Sequence, residues 1–255
     1  MLELISMANN RNTYHSYGCG YYEKMRRNQL CVNNRGLVGA TFSFLQPTIE
    51  STKEESLSVV RKFKAARTSK EVSVIKDGFC EFSDAIDYNG FKFGIDSITA
   101  FDIVLPLPSQ FSANRLISKI YKEINPNAKF LDEPFIKKMS QDIRYNSSQV
   151  LREGSSLSLP LVDAYFKSFK ETYFDRPFEI KNVRATLRRY IYNFMAIQGW
   201  CKHYLPYLVN GKRILLIDDT IGEGVTLREA ANLIRPFNPK SITSFAVLRD
   251  YRKGV

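Results

Sequence analysis

The chain has 255 residues, of which 44% are hydrophobic and 25% are charged, a composition typical of one large globular domain or of a core domain with a smaller appendage. No apolar run is long enough to span a membrane, and the N-terminus lacks the layout of a signal peptide, so we expect a cytoplasmic protein without a membrane partner. The net charge of +11 favours an anionic partner such as nucleic acid, a small molecule or an acidic protein, although solvated lysines alone explain many such values. Four scattered cysteines without a C-x-x-C pair, together with only two histidines, argue against a structural zinc site and favour free thiols.

The first part of the chain, residues 1–98, is predicted to be an α+β extension. Its N-terminal segment mixes tyrosines with arginines, which stack on nucleic-acid bases in some proteins. Such residues more often line an interdomain or intermolecular surface, which is the interpretation we favour. The predicted elements are a strand over residues 37–45, a helix over 51–67, short strands over 72–75 and 79–82, and a hairpin that turns at Asn89-Gly90.

The core is predicted to occupy residues 99–255. A buried strand over 101–108 ends in Pro-Leu-Pro and precedes an amphipathic helix over 112–123, which together form a βα unit. The elements predicted next are a strand over 128–131, an amphipathic segment over 162–174, a helix over 182–197 and a parallel strand over 241–248. In the helix over 182–197, the inward side chains are predicted to be Leu187, Ile191, Phe194 and Met195, with Arg184, Arg188 and Arg189 on another side.

Residues 213–226 carry the strongest functional signal and read Arg-Ile-Leu-Leu-Ile-Asp-Asp-Thr-Ile-Gly-Glu-Gly-Val-Thr. The apolar run 214–217 predicts a strand buried on both faces, and two carboxylates follow at its carboxyl end. Two glycines then allow the backbone to approach a ligand closely, and Thr226 is predicted to cap a helix whose N-terminus faces an anion. Because paired carboxylates can accept hydrogen bonds from vicinal hydroxyls, this order of residues predicts a sugar-phosphate site.

An ordinary strand–turn–helix, in which the two acids merely end the strand and cap the helix, is the alternative interpretation of this stretch. An apolar run followed by an acidic pair also occurs in the metal-binding strand of P-loop ATPases. The chain has no G-x-x-x-x-G-K-[ST] motif, so the ATPase interpretation lacks its phosphate-binding half. We therefore favour the sugar-phosphate site.

The same stretch resembles the phosphoribosyl-pyrophosphate (PRPP) signature of type I phosphoribosyltransferases. The similarity covers the strand, both acids, Gly224 and Thr226, whereas Gly222-Glu223 stands where the family usually has small hydroxyl residues. Residues 102–115 resemble the ComF-type, competence-associated branch, whose N-terminal cysteine zinc module is missing from this sequence. The resemblance implies an α/β fold, with a mostly parallel sheet and helices on both faces.

The resemblance also implies a role for each matched residue. Asp218 and Asp219 would hold the ribose hydroxyls, directly or through water bound to a Mg²⁺ cofactor, with no direct protein ligand to the metal. The phosphate-binding loop would comprise Thr220, Ile221, Gly222, Glu223, Gly224, Val225 and Thr226. The pyrophosphate loop would comprise Pro108, Ser109 and Gln110, with Asn114 and Arg115 assisting from the next helical turn. A mobile hood over the site would supply cations from Lys137, Lys138, Arg144 and Arg152.

Two functions follow from the resemblance, and the sequence leaves both open. In the first, the protein is an enzyme that transfers a phosphoribosyl group from PRPP to a nitrogen acceptor, or cleaves the N-glycosidic bond of a related nucleotide. In the second, the fold is a nucleotide or PRPP sensor within a regulatory, DNA-uptake or defence complex, with a nucleic acid or a protein as partner. A homo-oligomer is compatible with both. A Glu223 side chain directed into the phosphate loop would exclude ordinary PRPP binding.

Overall fold

The computed structural model describes residues 98–109, 113–152 and 158–249, together with short strands in the first part of the chain. The helix predicted over 51–67, the strands over 72–75 and 79–82, the hairpin at Asn89-Gly90 and residue Gln110 lie outside the described residues. None of the described helices is both long and apolar enough to cross a membrane.

The described helices and strands are named in chain order. The strands are β1 (Leu4–Met7), β2 (Thr13–Ser16), β3 (Cys19–Lys24), β4 (Cys31–Val32), β5 (Thr41–Pro47), β6 (Ile103–Pro106), β7 (Lys129–Phe130), β8 (Phe135–Lys137), β9 (Arg144–Tyr145), β10 (Ile191–Tyr192), β11 (Met195–Ile197), β12 (Arg213–Ile221) and β13 (Ser241–Arg249). The α-helices are α1 (Ala113–Ile124), α2 (Ser147–Arg152), α3 (Leu159–Thr172), α4 (Ala185–Arg188), α5 (Leu205–Val209) and α6 (Val225–Ile234).

The main sheet has the strand order β1-β2-β3-β5-β13-β12-β6-β7. The run from β5 to β7 is parallel throughout, whereas β1, β2 and β3 pair in the antiparallel sense. Strand β5 joins β13 with Phe42 opposite Phe245, so the sheet continues from the core into the first part of the chain. The domain boundary at residue 98 stays a prediction.

The two central strands are buried on both faces, as a parallel sheet covered by helices requires. In β12 the side chains from Ile214 to Ile217 are fully buried, and those from Ile242 to Leu248 of β13 are buried as well. Helix α1 connects β6 to β7 and packs on β6 and β12, while α6 connects β12 to β13. The predicted α/β class, with a mostly parallel sheet flanked by helices, is confirmed.

The described residues between β7 and β12 contribute short helices and two antiparallel strand pairs. Strand β8 pairs with β11 and β9 pairs with β10, both in the antiparallel sense. The amphipathic segment predicted over 162–174 is helix α3, whose Phe166 and Phe169 are buried in an aromatic cluster with Phe178.

The prediction of a helix over residues 182–197 is wrong. Only the four residues of α4 are α-helical, and the chain then forms β10 and β11. Asn193, between the two strands, adopts a left-handed φ of 60°, which an α-helix does not tolerate. The side chains predicted to face inward are nevertheless buried, because the strands also bury Ile191, Phe194 and Met195.

Candidate functional site

The candidate site lies at the carboxyl edge of the sheet, where β6 ends beside Ile217 of the longer strand β12. Pro106 is in register with Ile217, and the Leu107 N–H donates to the Ile217 carbonyl at 2.9 Å. This pairing places the loop after β6 directly beside Asp218 and Asp219. Ligands of open α/β sheets usually bind outside such strand ends.

The two acids have different environments, because consecutive strand residues direct their side chains to opposite faces. Asp218 is half-buried, and its Oδ1 accepts hydrogen bonds from Asn114 Nδ2 at 3.2 Å and from the Asp219 N–H at 2.9 Å. Asp219 is only 1% exposed, and its Oδ2 accepts a hydrogen bond from Ser109 Oγ at 3.4 Å. Asp218 is therefore the more accessible carboxylate.

The acids lie within β12 rather than beyond it, which corrects the expected order of strand, acidic pair and loop. The strand continues to Ile221 because β13 continues beside it and pairs with Asp218, Thr220 and Ile221. The Thr220 hydroxyl is buried and has no hydrogen-bond partner within the described ranges. A buried hydroxyl without a partner is costly, and a bound ligand or water commonly supplies the missing contact.

Gly222, Glu223 and Gly224 form the turn that leads from β12 into α6. Gly224 has a φ of 70°, in the left-handed region where a side chain is disfavoured, and its carbonyl accepts the Arg228 N–H at 2.9 Å. Gly224 is therefore the N-cap, and the prediction that Thr226 caps the helix is wrong. Thr226 lies in the first turn of α6, where the helix N-terminus favours a bound anion.

Glu223, which the resemblance places in the predicted phosphate-binding loop, has an exposed side chain. In the part of the chain that the structure describes, it has no hydrogen bond and no ion pair. A carboxylate in water is screened by solvent and salt, so it opposes a nearby anion much less than a buried one.

Comparison with known proteins relates the region of the acidic pair to one protein family. The family model described as the phosphoribosyl transferase domain matches residues 192–254, about a quarter of the chain, and this match includes β12, the glycine turn, α6 and β13. The core, a parallel sheet flanked by helices, is consistent with the type I phosphoribosyltransferase fold. No curated protein matches the chain. The finer resemblance to the ComF-type branch stays a prediction.

The predicted pyrophosphate loop lies next to the acidic pair. Pro108 and Ser109 are both half-buried, and Ser109 is in contact with Asp219 as described above. Arg115, which was expected to assist from the next helical turn, forms an ion pair with Asp132. Asn114 reaches the acidic pair from the same turn.

The predicted hood cations are distributed over the segments beside the main sheet. Lys137 ends β8, and the neighbouring Lys138 donates from Nζ to the Asn193 side chain. Arg144 lies in β9 opposite Tyr192, and Arg152 ends α2; both arginines are exposed. The contribution of these cations to ligand binding stays a prediction.

One buried carboxylate was missed by the sequence analysis. Glu229 of α6 is 6% exposed, and its Oε1 accepts the Phe194 N–H at 3.1 Å. Burial raises the pKa of Glu229, while hydrogen bonds from the backbone N–H groups of Asn193, Met195 and Phe194 and the charge of Lys138 act in the opposite direction. The position of Glu229, one helical turn after Val225 on the buried side of α6, was the available signal.

Proposed function

We propose that the chain binds PRPP or a related ribose-5-phosphate nucleotide at the carboxyl edge of its sheet. The proposal further assigns to it Mg²⁺-dependent phosphoribosyl transfer to a nitrogen acceptor, or the related cleavage of an N-glycosidic bond. The observation that carries the proposal is that the loop after β6 contacts the acidic pair of β12, which is followed by the glycine turn and the N-terminus of α6. The family model that matches residues 192–254 supports it.

Each part of the ligand has a chemically suited partner in this arrangement. The half-buried Asp218 accepts hydrogen bonds from ribose hydroxyls, and the N-terminus of α6 accommodates the 5-phosphate. The loop after β6, with Ser109, faces the pyrophosphate end. In the transfer step the bond between ribose C1 and the pyrophosphate oxygen breaks with its electron pair leaving on pyrophosphate, while the acceptor nitrogen forms the new bond and gives up a proton. Positioning and electrostatic stabilisation suffice for such a step, so no nucleophilic side chain is needed.

The residues of the site fit a Mg²⁺ ion that arrives on the ligand. In the described ranges no three His, Cys, Asp or Glu side chains converge to hold a metal. Mg²⁺ usually keeps several waters and binds substrate phosphates, and Asp218 offers a carboxylate that would hold the ion through such a bound water. When bound, the ion would offset the charge of the departing pyrophosphate.

Calorimetric titration of the full chain with PRPP, in the presence and absence of Mg²⁺, tests the proposal. We expect saturable binding that strengthens with Mg²⁺, and weaker binding of ribose 5-phosphate, which lacks the pyrophosphate. Binding of inorganic pyrophosphate that matches that of PRPP would contradict the assignment of the ribose to Asp218. Absence of PRPP and nucleotide binding would overturn the proposed function as a whole.

The exposed Glu223 is expected to weaken phosphate binding only modestly. Replacement Glu223→Ser removes a screened negative charge beside the phosphate loop and should raise PRPP affinity by about threefold at low ionic strength. The gain should shrink as salt is added, which titrations at two salt concentrations will show. A gain of a hundredfold or more would mean that Glu223 occupies the phosphate position, so that the native loop is not an ordinary PRPP loop.

The alternative function, a nucleic-acid-associated sensor, is favoured by one specific feature. Residues 180–217 contain no Asp or Glu but contain seven basic residues, namely Lys181, Arg184, Arg188, Arg189, Lys202, Lys212 and Arg213. This basic segment adjoins the site, because Arg228 of α6 donates from Nη2 to the Arg189 carbonyl at 2.9 Å. Its exposed Tyr192 lies opposite the exposed Arg144. Exposed cations beside an aromatic ring suit a single-stranded nucleic acid.

If the basic segment binds nucleic acid, affinity for a single-stranded oligonucleotide should fall steeply with salt. The double replacement Arg144→Ser/Arg184→Ser should weaken binding by about tenfold and reduce the salt slope by roughly 1 to 2. The matched control Lys119→Ser/Lys122→Ser removes two exposed charges from α1 and should have little effect. Equal losses in both variants would indicate a response to net charge alone, and the surface proposal would be abandoned.

A further inference from the structure

Asn114 connects three parts of the site, namely the first turn of α1, the exit of β6 and the accessible acid of β12. Resting on the function proposed above, we propose that Asn114 is a positioning residue that fixes the Asp218 carboxylate, and with it the start of the pyrophosphate loop, for binding of the ribose phosphate. Its side chain acts through Asp218 and Leu107 rather than on the reacting atoms.

Both N–H groups of the Asn114 side-chain amide donate hydrogen bonds. Asn114 is 2% exposed, and its Nδ2 donates to the Leu107 carbonyl at 2.9 Å and to Asp218 Oδ1 at 3.2 Å. A side-chain amide has two N–H groups, so each is directed to one of these acceptors. One buried group therefore links the exit of one strand to the acid of its neighbour.

These contacts limit the freedom of both groups. Asp218 Oδ1 accepts a second hydrogen bond, from the Asp219 N–H at 2.9 Å, so two donors set the orientation of the carboxyl group. Hydrogen bonds to an ionised acceptor are stronger than neutral ones. Leu107 is also held through its own N–H, which donates to the Ile217 carbonyl at 2.9 Å, so the loop begins from a residue whose N–H and C=O groups are both hydrogen-bonded.

A second observation distinguishes this asparagine from a purely structural one. The Oδ1 of Asn114 is buried and has no hydrogen-bond partner among the described residues. A buried acceptor without a partner is costly, so the site keeps the amide donors at Asp218 despite an unfavourable environment for the amide oxygen. Asn125, at the other end of α1, is 4% exposed and donates to the backbone carbonyls of Thr99 and Phe101 at 3.0 and 2.9 Å. It provides a matched control.

The decisive test replaces both asparagines by aspartate and measures PRPP binding with Mg²⁺ in each variant relative to wild type. In Asn114→Asp, an ionised carboxylate would face Asp218, and two adjacent carboxylates raise the pKa of one of them. We expect affinity at about pH 8 to fall by roughly a hundredfold or more, because two donors are replaced by a like charge. As the pH is lowered to about 6, the ratio to wild type should recover, since a protonated carboxyl again donates a hydrogen bond.

The control separates positioning from folding. Asn125→Asp makes the same chemical change at similar burial, so it should lower thermal stability but leave PRPP affinity within about twofold of wild type at every pH. Asn114→Ala, which lacks both charge and donors, should bind about tenfold to a hundredfold more weakly without pH recovery.

Three results would overturn the proposal. The first is wild-type affinity in Asn114→Asp at about pH 8, where the introduced carboxylate is ionised. The second is an equal affinity loss in the Asn114 and Asn125 aspartate variants. Both leave the proposed function intact, because wild type still binds. Failure of wild type itself to bind PRPP or a nucleotide would instead overturn the proposed function and this inference together.

Discussion

The double replacement Asp218→Asn/Asp219→Asn is expected to abolish measurable PRPP binding while the chain remains folded. Asparagine keeps the size of aspartate and retains the Oδ1 atom that accepts from Asn114 and from the Asp219 N–H. What is lost is the charge that makes hydrogen bonds from ribose hydroxyls strong, about 1.5 to 3 kcal/mol for each bond. Because the accessible Asp218 can accept hydrogen bonds from two vicinal hydroxyls, the double variant should bind a hundredfold or more weakly, on the order of 3 to 6 kcal/mol.

The two single replacements should differ in a way that follows from burial. Asp218→Asn should carry most of the affinity loss, because Asp218 is the more accessible acid. Asp219→Asn should chiefly affect stability, because Asp219 is 1% exposed and contacts Ser109. Calorimetry together with thermal unfolding separates the two effects, and the exposed Asp142→Asn serves as a control for the loss of one negative charge. Undiminished PRPP binding by the double variant would contradict the proposal that the acidic pair binds the ribose.

Among the substitutions considered, Glu229→Ala is expected to cause the largest decrease in the free energy of unfolding. It would leave the backbone N–H groups of Asn193, Phe194 and Met195 without their buried acceptor, and would leave Lys138 without the opposite charge of Glu229. Buried donors without partners cost about 1 to 3 kcal/mol each, and of these three residues Phe194 and Met195 are buried, so the free energy of unfolding should fall by about 3 kcal/mol. For a chain of this size that corresponds to a melting temperature about 10 °C lower.

The pH dependence of this loss follows from the raised pKa of Glu229. A carboxyl whose pKa is higher in the folded than in the unfolded state stabilises the fold most below its unfolded pKa, about 4.3, and loses that contribution as the pH rises through the folded pKa. The stability difference between wild type and Glu229→Ala should therefore be largest in acid and shrink toward neutral pH. Denaturant titrations at several pH values measure it, with the exposed Glu171→Ala as control. A difference that grows with pH would contradict the raised pKa.

The contacts of Glu229 also connect α6 to another part of the chain. Its carboxyl group joins α6, the helix that follows the glycine turn, to the turn between β10 and β11. Lys138, which was predicted to act as a hood cation, donates to Asn193 in that same turn. Helix α6 and the turn between β10 and β11 are thus joined by one partly buried polar cluster.

Much of the site could be predicted from local sequence, because strand, turn and helix signals lie within 213–226. A run of four apolar residues needs burial on both faces, and it is buried in β12. A glycine was expected near the start of the next helix, and Gly224 takes a left-handed conformation there. These features could be predicted from the sequence because they depend on short-range steric and burial requirements.

Other features depend on partners that are distant in sequence, and only the tertiary structure decided them. Strand β12 continues past its acids because β13 lies beside it, and residues 191–197 form strands rather than a helix because β8 and β9 pair with them. Asn114 and Asp218 are 104 residues apart and meet only because β6 and β12 are neighbours in the sheet. Sequence determined which segments bury their side chains, whereas long-range pairing determined the strand lengths and the partners of the buried polar groups.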